Sequence, residues 1–163
     1  MILDKYEVFI KGILSNLEKL NIDVSKLNMD HIGYQASSNE EYDSLCKEFD
    51  TLGEKVSEKL VGGRRVGIYK LFNPLHYKQY VNTAIELVAP KEGQICNSGL
   101  EHVEFVITEN FESFIKKYPL IPWNISAMNR AEFPMVTLKF EDNTQVKFHL
   151  TPVLEIIKQY DNK

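Results

Sequence analysis

The sequence predicts an α+β fold: two βαβββ modules forming a curved mixed sheet around a central cavity, with an N-terminal helix packed outside. Three observations carry this. The motif acid-His-aliphatic-x-aromatic occurs twice, as "DHIGY" from Asp30 and "EHVEF" from Glu101. The same order of elements follows each copy, which points to an internal duplication. Ahead of both lies one amphipathic segment at helical spacing.

That segment places Ile2, Leu3, Tyr6, Phe9, Ile10, Ile13, Leu14, Leu17 and Leu20 on one stripe, with polar residues of mixed sign opposite. It reads as a helix docked on the sheet rather than one lying on a membrane. At Met29 the period changes to two: Ile32, Tyr34 and Ala36 point one way, His31, Gly33 and Gln35 the other. Next comes a helix with Ser/Asn caps, the apolar positions Tyr42, Leu45, Phe49 and Leu52, and Gly53 as its stop. Residues 54–72 read as two strands around a Gly62-Gly63 turn, and 81–90 as a further strand closed by Pro90. His76 falls in a loop between them.

The second pass is less regular. Residues 100–107 read as a strand, 108–118 as a short helix, 122–130 as a strand, and 135–150 as a hairpin around Asp142-Asn143. The expected divisions are therefore a helical extension (1–28), a first module (29–90), a linker (91–99), a second module (100–153) and a tail or short helix (154–163). Neither module covers its own sheet, so the two pair, leaving helices on the convex face and a cleft on the concave one.

Composition narrows the function. A 163-residue chain with 44% hydrophobic and 26% charged residues is an ordinary globular domain. The formal charge of -4 gives no overall attraction to nucleic acid or anionic lipid. No apolar run reaches membrane-spanning length, and the charged N-terminus is unlike a signal peptide, so a cytoplasmic location is expected. Cys46 and Cys96 follow no metal or redox spacing, which leaves His, Asp and Glu to build any metal site.

The alternation of the strands selects the cleft residues. Ile85 and Leu87 turn toward the helices and Glu86 inward; Val146, Phe148 and Leu150 turn toward the helices, and Gln145, Lys147 and His149 inward. His31, Glu86, His102 and His149 thus form a candidate ligand set on first and last strands. Imidazoles with one carboxylate suit Zn, Fe, Mn, Co or Ni, and suit calcium poorly. Glu104, two residues after His102, is a candidate base, an orienting acceptor or a salt-bridge partner of Lys147. Arg64 either reaches over the cavity to hold a carboxylate or stays at a solvated hairpin tip. Gln35 and Tyr69 either contact a substrate oxygen or simply line the wall, and the inward Lys147 is a further candidate for substrate binding.

These motifs, with "GGRRVGIYKL", "IELVAP" and "VKFHLTP", resemble the vicinal-oxygen-chelate superfamily, and within it the YecM-like proteins, from the N-terminal helix to about Pro152. The resemblance implies metal positions at His31, Glu86 and His102, with His149 standing where glyoxalases usually carry a glutamate. It implies a metal-dependent enzyme of isomerase, lyase or dioxygenase type, acting on a small oxygen-rich, anionic molecule, with Glu86 or Glu104 moving a proton. A non-catalytic small-ligand or metal-binding protein on the same fold is the alternative. An interaction module using the first helix or a sheet edge is a third. The chain is expected as a monomer or a homodimer, its modules paired within one chain or across two.

Overall fold

In the computed structural model, residues 2–161 are described. Their elements run α1 (Tyr6–Lys19), β1 (Asn28–Gln35), α2 (Asn39–Leu52), β2 (Gly53–Val61), β3 (Arg64–Tyr77), β4 (Tyr80–Val88), β5 (Gly99–Val106), α3 (Phe111–Lys117), β6 (Val136–Lys139), β7 (Gln145–His149) and α4 (Val153–Asp161). Among the described residues, seven strands form one open mixed sheet in the order β2-β3-β4-β1-β5-β7-β6. The two halves meet within this single chain at the antiparallel pair β1/β5, and each flanks it with a parallel pair, β1/β4 and β5/β7.

Local chemistry explains the helices. Ser38 caps α2 by accepting from the Glu41 N–H at 3.0 Å, and Asn110 caps α3 by accepting from Ser113 at 2.8 Å. Tyr6, Ile10, Ile13 and Leu17 bury the apolar stripe of α1. On the convex side, α1, Phe49 of α2 and Phe114 of α3 close over Ile85, Leu87, Phe105 and Phe148, all fully buried or nearly so. Each such burial stabilises by about 1.5–3 kcal/mol, which fixes the facing of the strands beneath. Among the described residues, no helix is long and apolar enough to cross a membrane.

The turns follow their residues. Gly62 and Gly63 take φ of 59° and 81°, a left-handed pair suited to the tight β2/β3 hairpin, and Asn143 at φ 67° turns β6 into β7. Two expectations need correction. Residues 73–77 are not a loop: β3 continues to Tyr77 after a register shift between Lys70 and Leu75 that accommodates Pro74, leaving His76 exposed on the strand. The expected strand at 122–130 reduces to one bridge, Asn124 with Thr137. Asn124 instead accepts from the Ser126 N–H with its side chain, and this local turn competes with strand pairing. The second half therefore has three strands, not four, and the 120–135 segment becomes a wall of the cavity.

The concave side is also closed by helix. Val153 and Ile157 of α4 pack on Val66, Ile68, Ala84 and Val88, so the segment expected as a tail or short helix roofs the first half's inner face.

Candidate metal centre

The β1/β5 ladder positions the site through two irregularities. Register runs Met29↔Phe105 and then His31↔Glu104, so Asp30 is an extra residue on β1; it runs Gly33↔His102 and then Tyr34↔Leu100, so Glu101 is an extra residue on β5. A bulge of this kind lets two consecutive side chains turn the same way. Each acid therefore reaches the histidine that follows it. Asp30 Oδ2 lies 2.7 Å from His31 Nδ1, and Glu101 Oε2 lies 2.6 Å from His102 Nδ1. The repeated acid-His doublet is thus a repeated orienting pair, in which a carboxylate accepts from Nδ1 and aims Nε2 at the sheet centre.

Both Nε2 atoms converge on the same carboxylates. His102 Nε2 stands 2.9 Å from Glu86 Oε2 and 3.4 Å from Glu104 Oε1, and His31 Nε2 stands 3.4 Å from that same Glu104 oxygen. The site must be crowded around His102, because Gly33 opposes it and a Cβ there would fall 1.9 Å from the ring. His31, His102 and Glu104 are buried, with Glu86 half-buried at the cavity floor.

The electrostatics follow from burial and neighbours. Burial pushes the Glu86 carboxyl up, but Lys147 and the His102 contact outweigh it and bring it down to about 2. Burial and Lys147 push His102 down, yet Glu101, Glu104 and Glu86 together raise it to about 9. Burial likewise disfavours the charged forms of Glu104, His31 and Lys147. Lys147 and His31 nevertheless hold Glu104 well below the carboxylate range, Glu104 and Asp30 hold His31 well above the imidazole range, and the carboxylates raise Lys147. His149 goes the other way: burial pushes its imidazole down, and His31 adds to this against Glu104 and Asp30.

These residues fit a transition-metal ion. His31, Glu86, His102 and Glu104 each offer an atom within 4.8 Å of the others. An ion with bonds of about 2.1 Å separates adjacent ligand atoms by roughly 3.0–3.4 Å, close to the contacts found here. The buried His31 Nε2 also makes no hydrogen bond. Two imidazoles with two carboxylates suit Zn, Mn, Fe, Co or Ni.

The sequence-derived set is changed at one corner. Glu104 joins His31, Glu86 and His102, while His149 belongs to a neighbouring group with Asp30 and His31. Its Nε2 lies 3.4 Å from Asp30 Oδ2 without a hydrogen bond. The reason is register. Gly33 pairs with Glu86, and Glu104, two past the second histidine as Gly33 is two past the first, pairs with Lys147. Lys147, not His149, is therefore the counterpart of Glu86, and its Nζ lies 3.0 Å from Glu104 Oε1, 3.1 Å from His102 Nε2 and 3.8 Å from Glu86 Oε2.

Above this floor lies a cavity of about 360 Å³, whose walls include Arg64, Lys59, Lys91 and Arg130. Arg64 is thus brought to the cavity, whereas Arg65 leaves it to pair with Asp43 and Glu58. Tyr69 is not brought there. Its neighbour Ile68 pairs with the inward Glu86 and lines the wall, so Tyr69 faces α2 and its ring lies 5.3 Å from Phe49. Gln35 is occupied structurally, donating to Ala36 O at 2.8 Å and Val88 O at 3.2 Å. Leu150, expected against the helices, lies past the end of β7, exposed on the cavity wall. Sequence reasoning missed Asp30 and Glu101, although an acid before each histidine was itself part of the repeat, and of the basic walls it found Arg64 but not Lys59, Lys91 or Arg130, which are scattered along the chain.

Comparison with known proteins agrees with this architecture. The chain is 25% identical to Protein YecM of Escherichia coli (strain K12), covering 91% of this chain and 87% of that one. An uncharacterized protein of Haemophilus influenzae is 24% identical, over 71% of this chain and 58% of its own length. Among solved structures, Protein EC4020 superposes with a TM-score of 0.78 at 23% identity, over 97% of this chain and 90% of that chain. The hypothetical protein BH1468 of Bacillus halodurans C-125 gives 0.53 at 12% identity, over 77% and 95%. These structures share the fold. The family model described as YecM protein matches residues 1–159, and the chain belongs to the YecM family.

Proposed function

We propose that this protein is a metal-dependent enzyme acting on a small, oxygen-rich, anionic molecule. The observation that carries the reading is the convergence of His31, Glu86, His102 and Glu104 at the floor of a cavity walled by Lys59, Arg64, Lys91 and Arg130. That wall is strongly basic in a chain of net charge -4, so it selects for anions locally rather than through overall charge. A divalent ion held by the four residues supplies Lewis-acid stabilisation of a developing oxyanion.

The remaining work falls to side chains. Arg64 and Arg130 bind the substrate's anionic group and orient it above the floor. Phe133, Pro134 and α4 exclude water from one side. Proton movement belongs to the groups facing the cavity: the Glu104 carboxylate, held ionised, and His149, whose neutral imidazole presents an unpartnered Nε2. Isomerase, lyase and dioxygenase chemistry all fit such a site, because an inward base beside a metal centre serves each of them.

A screen of carboxylated and phosphorylated compounds with adjacent carbonyl or hydroxyl oxygens tests this. Protein loaded with Zn²⁺, Mn²⁺ or Fe²⁺ is expected to convert at least one of them, with conversion lost on chelation and restored by metal. Tight capture of such a compound with no conversion under any loading would favour the alternative, a binding protein, to which the ammonium of Lys147 at the site centre lends support.

A further inference from the structure

The duplicated site is symmetric in position but opposite in charge at one corner, where Glu86 of the first half answers Lys147 of the second. The Lys147 ammonium touches three of the four candidate donors. Its placement against two carboxylates inside a buried cluster is that of a counter-ion. A nucleophilic amine would need to be neutral and free toward the cavity, and Glu104 and Glu86 hold this one as a charged donor. A divalent ion bonded to these atoms would lie within a few ångströms of the ammonium, where like charges repel strongly at protein-like dielectric, twice as strongly as two unit charges would.

We propose that Lys147 is a tethered cation that neutralises Glu86 and Glu104 in the metal-free protein and must be displaced when metal enters, so that it sets the affinity of the site. The inference rests on the metal reading given above. Its direction of escape is fixed, because Lys147 already lines the cavity and the sheet blocks the other side. A metal-bound state therefore presents this ammonium to whatever anion occupies the cavity, coupling metal loading to anion binding.

The experiment uses chelator-stripped protein titrated calorimetrically with Zn²⁺ and with Mn²⁺. Lys147→Gln is expected to bind at least about tenfold more tightly than wild type. Its metal-free melting temperature should fall and recover on adding Zn²⁺, while Lys117→Gln, which removes an exposed lysine paired with Glu109, should change neither property. Equal or weaker binding by Lys147→Gln beside a wild type that binds normally overturns this inference alone. Absence of binding by every form overturns the metal reading itself. A second measurement uses only wild type: amine-directed labelling of Lys147, followed by peptide mass spectrometry, should rise severalfold on saturation with Zn²⁺. Unchanged labelling at saturation contradicts displacement.

Discussion

Gly33→Ala is expected to lower metal affinity by more than about a hundredfold while costing only ~1–3 kcal/mol of stability. A Cβ at this position would lie 1.9 Å from Cε1, 2.2 Å from Nε2 and 2.4 Å from Nδ1 of His102, closer than any side chain tolerates. The ring has little room to yield. It is fully buried, tied by Nδ1 to Glu101, and faced by Glu86, Glu104 and Lys147 on its other nitrogen. Relief must come from rotating the imidazole away, which removes one ligand and breaks the Glu101 contact together. Gly12→Ala is the matched control. It sits on the exposed side of α1 with nothing within 4 Å of an added Cβ, so it should stabilise by roughly 0.5–1 kcal/mol and leave metal binding intact. Calorimetric titration and urea unfolding of the two variants separate the effects.

Glu101→Gln is expected to weaken metal binding by about 10–100-fold without unfolding the protein. The carboxylate does not face the donor centre. It accepts from His102 Nδ1 and from Gln145, so an amide in its place loses the charge that keeps the imidazole's proton on Nδ1 and its lone pair on Nε2. Asp30 plays the same part for His31 but also accepts from the Val153 N–H at 2.9 Å, the first residue of α4. Asp30→Ala should therefore reduce metal affinity and also destabilise, by about 1–3 kcal/mol, as the start of α4 loses its acceptor. Affinity and unfolding measured on both variants distinguish orientation from support: loss of affinity in Asp30→Ala alone would mean that Glu101 is not an orienting group.

Those two carboxylates also mark where sequence reading stopped. The duplicated halves, the helix outside them, the inward Glu86 and Lys147, and the shared face of His31 and His102 were legible because each depends on strict alternation or on helical spacing. Asp30 and Glu101 were not, since alternation sends the residue before each histidine to the opposite face, and only a bulge turns it back. Tyr69 was misplaced for a related reason. Ile68 and Tyr69 are both apolar enough to face the core, and only pairing of Ile68 with Glu86 decides between them. Position near a strand end makes His149 look like the counterpart of Glu86, whereas the β5/β7 register assigns that place to Lys147. Pairing between strands distant in sequence was the missing information in each case.

X-ray absorption at the metal edge, on protein loaded with one equivalent of Zn²⁺, tests most directly whether the bulged acid-His doublets aim two imidazoles at one ion. The expected spectrum carries the outer-shell scattering of two imidazole rings and a first shell of nitrogen and oxygen at about 2.0–2.2 Å, with the imidazole signal halved in His102→Ala. A shell of oxygens alone, or a spectrum unmoved by removing His102, would contradict the convergence on which the functional reading depends.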